Sequence, residues 1–107
     1  MADISEPDWK VFKSLHKELL ENYSQGILDK LKSIDTERNI SAHQCYLAIY
    51  DTIKKKDKSL GRLFGDFRRS TAIICLINWH RSGLLTEQMI QKLSGDTQEK
   101  LRVSEEL

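Results

Sequence analysis

Ile4-Ser5-Glu6-Pro7-Asp8-Trp9 and Ile40-Ser41-Ala42-His43-Gln44-Cys45 carry the same helix start signal. In each, the serine is placed to accept from the first free backbone N–H groups, and an acidic or amide side chain three residues on is placed to reach back. The flanking apolar pair is placed to close over the turn as a staple. Leu85-Thr86-Glu87-Gln88-Met89-Ile90 repeats the cap and the staple, and Asp96-Thr97-Gln98-Glu99 repeats the box. These starts predict an all-α chain: a compact bundle of four to five helices with a long first helix.

Between the starts, apolar residues recur at three and four positions. Trp9, Phe12, Leu15, Leu19, Leu20, Tyr23, Ile27, Leu31 and Ile34 define one face of a helix of about 45 Å if unbroken. Ser24-Gln25-Gly26 is the candidate kink, and continuity is the preferred expectation. Helix two starts at Ser41 and carries Cys45, Tyr46, Leu47, Ala48, Ile49, Tyr50 and Ile53, apolar on so many sides that a central position is expected. Lys54-Lys55-Lys56-Asp57-Lys58 reads as its end, followed by a helical turn and bend through Phe67. A third main helix is expected over about 66–82, stopped by Gly83 and, with helix two, the most buried. Short helices over about 87–93 and 97–103 complete the chain, with 1–4 and 104–107 expected to be flexible. No stretch has the alternation of a strand.

The 107 residues fit one domain, and a core this small makes self-association through a spare apolar stripe attractive. The start at Met1-Ala2-Asp3-Ile4-Ser5-Glu6 is acidic where a signal peptide is basic and then apolar, so a cytoplasmic location is expected. The longest strongly apolar run, Ala72 to Ile77, falls far short of the ~20 residues of a spanning helix, so no membrane partner is expected. Cys45 and Cys75 lie among aliphatic neighbours without CxxC spacing, which points to buried reduced thiols.

Charge is unevenly distributed. Residues 1–53 net −3, residues 54–69 net +5 and residues 70–107 net −1. Lys54, Lys55, Lys56, Lys58, Arg62, Arg68 and Arg69 are therefore the candidate residues for binding an anion or an acidic partner. Lysines at a helix end also suit the macrodipole, so a solvated cationic turn is the first expectation. An overall charge near neutral argues against a dedicated nucleic-acid binder. Arg68 and Arg69 enter an apolar helix, so at least one guanidinium is expected to be partly buried and to need a carboxylate, for which Glu18, Glu21 or Asp29 on helix one is the expected source and Asp66 is at poor spacing. Trp79 and Arg81 are residue types enriched at binding hot spots, and His80 between them is expected to be half-buried on a backbone carbonyl.

His16, His43 and His80 form no metal-ligand spacing with one another or with cysteine, so no metal is expected. Gly61-Arg62-Leu63-Phe64-Gly65 lacks the Gly-Lys-Ser/Thr ending of a phosphate loop, and neither a nucleophile elbow nor a dinucleotide fingerprint occurs. No catalytic residue and no cofactor is assigned.

The resulting expectation is a non-enzymatic cytoplasmic helical domain that works through protein contacts, as a homodimer or as a regulatory or immunity-type binder. Its expected interface is the stripe Trp9, Phe12, Leu19, Tyr23 and Ile27, with Trp79 and Arg81 as a second patch. One alternative is a nucleic-acid-associated protein using 54–69. The other is a small-ligand-binding or enzymatic bundle with a pocket around Tyr46, Tyr50, Trp79 and His80. The capping signature is directly testable: Ser41→Ala costs about 1 kcal/mol in chemical denaturation, and an unchanged midpoint would contradict the cap.

Overall fold

A computed structural model describes residues 4–37 and 39–106. The chain is an all-α bundle of five helices. They are α1 (Glu6–Thr36), α2 (Ala42–Phe64), α3 (Ala72–Arg81), α4 (Glu87–Gln91) and α5 (Gly95–Ser104), with a 3₁₀ turn at Arg69–Thr71 before α3. No strand occurs among the described residues.

The box at Ser41 forms in full: the Gln44 N–H donates to Ser41 Oγ at 3.1 Å and the Ser41 N–H to Gln44 Oε1 at 3.3 Å. Thr86 caps α4 through the Met89 N–H. At the first start, Ser5 accepts from the Asp8 N–H, but the Asp8 carboxylate is diverted to α5. It accepts from the Ser94 N–H at 2.8 Å and from Ser94 Oγ and Thr97 Oγ1, both at 2.6 Å. The start of α5 is accordingly Ser94, two residues ahead of the box read at Asp96. A buried carboxylate thus sits at the positive ends of two helices and ties the beginning of the chain to its end. Ile4 and Ser104, expected at flexible ends, are both buried, while Met1–Asp3 and Leu107 lie outside the described residues.

α1 is continuous through Gly26. α2 does not stop at the lysines but runs on to Phe64. Lysine is a good helix former, and only Lys56 falls on the buried face, where its ammonium lies 5.9 Å from the Tyr23 ring. Leu60, Leu63 and Phe64 then continue that face into the core. The turn comes at Gly65, where a Cβ would lie 2.4 Å from the Gly61 carbonyl oxygen. The segment expected to open the third helix at Asp66 is extended at Arg68 and tightens into the 3₁₀ turn before α3 proper. Gly83, at φ +76°, ends the last long turn in the left-handed region that glycine tolerates.

The core lies at one end of the molecule. Phe12 and Trp79 stack with centroids 4.9 Å apart and planes 3° from parallel. The Trp79 indole N–H donates to the Leu63 carbonyl at 2.8 Å, and His16 Nε2 donates to the Phe64 carbonyl at 3.0 Å. Two backbone carbonyls left without partners at the end of α2 are thereby satisfied by side chains of α3 and α1. α3 has the largest buried share of the helices, through Ala72, Cys75, Leu76 and Trp79.

The expectation that α2 is equally buried is corrected. Only Cys45, Leu63 and Phe64 are buried along it, and Tyr46, Leu47, Tyr50 and Ile53 are exposed. Beyond the core, the distal parts of α1 and α2 pack only on each other, forming a two-helix arm. The radius of gyration is 17.1 Å, well above the about 13 Å of a compact domain of this length, and the extents are 53 × 26 × 23 Å.

Burial opposes ionisation of Asp8, but the hydrogen bonds from Ser94 and Thr97 outweigh it and hold the carboxyl below its usual range. A folded-state pKa below the unfolded one adds stability above the unfolded value and loses it as pH falls through the folded one. Asp8→Asn is therefore expected to cost about 1–3 kcal/mol near neutral pH, measured by urea denaturation. The gap to wild type should close below about pH 4. A gap independent of pH would contradict the charged clamp.

Candidate interaction surface

The seven basic residues of 54–69 do not form one patch. Lys55 pairs with Asp51 one turn back at 3.0 Å, and Lys56 turns inward over Tyr23. Arg68 takes Asp66 through Nε at 2.8 Å and Nη2 at 3.2 Å, the residue whose spacing argued against it. The extended backbone at Arg68 makes that pairing reachable. Arg69 reaches α1 as expected, but at Glu6 of its first turn (2.6 Å), and also the Ile4 carbonyl just before the helix (3.2 Å), rather than Glu18, Glu21 or Asp29. The Asp66 carboxyl is held below its usual range by the Arg68 guanidinium. Lys54, Lys58 and Arg62 remain, one helical turn apart on a single row and with no ion-pair partner among the described residues. Arg62 also borders a shallow groove of about 250 Å³ with Leu63, Asn78, Arg81 and Ser82.

The stripe expected on α1 is largely covered by the chain's own fold. Phe12 and Leu19 are buried, Trp9 is half-buried against Phe12 and Phe67, and Tyr23 and Ile27 are half-buried in the bundle. Tyr23 lies 5.8 Å from the Phe64 ring. Trp79 is 0% exposed, so of the pair read as a second patch only Arg81 reaches the surface.

The large exposed apolar face is on α2, where the apolar pattern predicts core. Tyr46 is 62%, Tyr50 57%, Leu47 48% and Ile53 46% exposed. His43 stands one turn before Tyr46, with ring centroids 6.2 Å apart, and Asp57 one turn after Ile53. The buried edge of the same helix, Cys45 with half-buried Ala48, Ile49 and Thr52, is turned inward, and the Cys45 thiol reaches the Ile34 carbonyl of α1 at 3.8 Å. The arm therefore has one apolar side closed by its own hairpin and a second side open. The sequence signal was present: positions 43, 46, 50, 53 and 57 alternate three and four apart, a second stripe beside the one at 45, 49, 52 and 56.

The candidate groups on α3 are structurally engaged. His80 is half-buried and its Nε2 meets Glu105 Oε1 rather than a backbone carbonyl, because α5 packs on α3 and brings that carboxylate to it. The Cys75 thiol donates to the Asp66 carbonyl at 3.4 Å, and burial, aided by the Asp66 charge, raises its pKa, the opposite of what a nucleophile needs. Tyr46 and Tyr50 on the arm and Trp79 in the core do not converge on a pocket with His80. No group of three or more His, Cys, Asp or Glu side chains suited to a metal ion occurs among the described residues, and no helix there is long and apolar enough to cross a membrane. No family model, curated protein or solved structure matches the chain.

The row Lys54, Lys58 and Arg62 places like charges at i, i+4 twice, and each such pair costs about 0.2–0.5 kcal/mol. Lys58→Glu is expected to raise the denaturation midpoint at low ionic strength, with the gain fading in molar salt. A loss of stability at low salt would show that Lys58 has a carboxylate partner after all.

Proposed function

We propose that this chain is a small non-enzymatic helical module that acts through protein–protein contacts made by the outer face of its α1–α2 arm. The observation that carries this reading is the exposure of Tyr46, Leu47, Tyr50 and Ile53 together on one helix. Single exposed apolar residues are ordinary, but a contiguous stripe with two tyrosines is the composition of an interface core. The arm supports the reading in a second way. Stable helical layers bury an apolar stripe against another element, and beyond the core the arm supplies one layer only.

An enzymatic role has less support, since both thiols are buried and the Cys75 thiol is shifted away from reactivity. Nucleic-acid binding draws on three unpaired cations of the seven. That is a thin electrostatic footprint, because affinity for a phosphate backbone scales with the number of contacts.

Photocrosslinking tests the reading. A photoreactive residue in place of Tyr50 is expected to yield protein adducts in cells that express the chain, whereas one in place of Glu18, exposed on α1, is not. No adduct at position 50, or equal yield at both positions, would contradict it.

A further inference from the structure

We propose that the arm's open face docks on a second copy of the chain, antiparallel, about a two-fold axis passing beside Tyr50. The inference rests on the reading above that this face is a docking surface, and it names the occupant.

His43, Tyr46, Tyr50, Ile53 and Asp57 alternate three and four apart along α2, the spacing at which one helix can lie along another. In an antiparallel pair, residues equally far from the axis on opposite sides face each other. With Tyr50 on the axis, Leu47 meets Ile53 of the other copy, Tyr46 meets Lys54 and His43 meets Asp57. Every pairing is complementary: two aliphatic side chains, an ammonium beside a phenol ring, and an imidazole N–H donating to a carboxylate. All these residues are exposed and available.

Two other arrangements lack this complementarity. A parallel pair sets Lys54 against Lys54 and Asp57 against Asp57. An antiparallel pair moved one turn toward the core sets Ile53 against Lys54 and Tyr50 against Asp57, stranding charge on apolar surface. Against these two arrangements the stripe selects by exclusion as well as by attraction. Pairing two arms in this way gives each its missing layer and makes a four-helix bundle from two hairpins. The contact is isologous and closed, so it ends at a dimer.

From His43 to Asp57 the contact is about 21 Å long, at the small end of specific interfaces, so dissociation in the micromolar range is expected. Sedimentation equilibrium of the full chain should give a mass rising with concentration from 12.4 kDa toward twice that value. Leu47→Glu should weaken the dimer at least tenfold with the helical circular dichroism unchanged. Asp57→Lys alone should weaken it, and His43→Asp together with Asp57→Lys should restore it. Tyr50→Cys should oxidise readily to a covalent dimer, and Leu47→Cys much less so.

A monomer at every accessible concentration overturns the inference, and adducts of position 50 with a different protein would then leave the docking reading standing. A dimer indifferent to Leu47→Glu overturns the inference as well, and with no adduct at position 50 the docking reading falls too. Failure of the paired charge exchange to restore association overturns the register.

Discussion

The indole of Trp79 is where α1, α2 and α3 meet. Its ring stacks on Phe12 of α1 and its N–H closes the last turn of α2 at Leu63, while its backbone belongs to α3. Phe64, His16 and Phe67 complete a cluster of rings around this point. Because α3 is only 10 residues long, against 31 for α1 and 23 for α2, it reaches only one end of the hairpin. The core is therefore confined to that end. What distinguishes the two ends is the number of layers: around Trp79 every helix has neighbours on more than one side, and along the arm each has one.

Asp8 secures the arrangement from the other side. Its carboxylate, buried among donors from α5, costs little because each oxygen is hydrogen-bonded and both adjacent helix ends are positive. Arg69 adds a tie from the 3₁₀ turn to the start of α1. These contacts join segments more than sixty residues apart in sequence, so the short C-terminal helices act as a clasp on α1 and leave the arm to fend for itself. Along the arm, the only fully buried side chain of α2 before the core is Cys45.

The helix starts at Ser41 and Thr86 and the stop at Gly83 were legible because capping is local chemistry: the residues that make the bonds lie within four positions of one another. Asp8 has the sequence signature of a cap residue, yet its oxygens are taken by Ser94 and Thr97, which only the fold brings within reach. Lys54 to Lys58 read as a stop because charge in a run resembles a solvated end, whereas just one of those lysines meets the buried side and it stays there by lying over Tyr23. The largest departure concerns α2. Apolar residues on two of its sides suggested a helix surrounded by its own chain, but periodicity reports only that a face is apolar, not which molecule covers it. The interface candidates on α1 and α3 moved into the core for the converse reason: Phe12, Leu19 and Trp79 are what the small core is made of.

A core at one end and an open face at the other imply unequal local stability, which amide hydrogen exchange reads directly. In dilute solution, amides of α1 from Phe12 to Leu19 and of α3 should exchange only through global unfolding, while those of α2 from Cys45 to Ile53 should exchange through a lower-energy opening of the arm. Raising the protein concentration should increase protection in the arm and leave the Trp79 region unchanged. Uniform protection along α2, with no dependence on concentration, would contradict the view that the arm lacks a layer that a partner supplies.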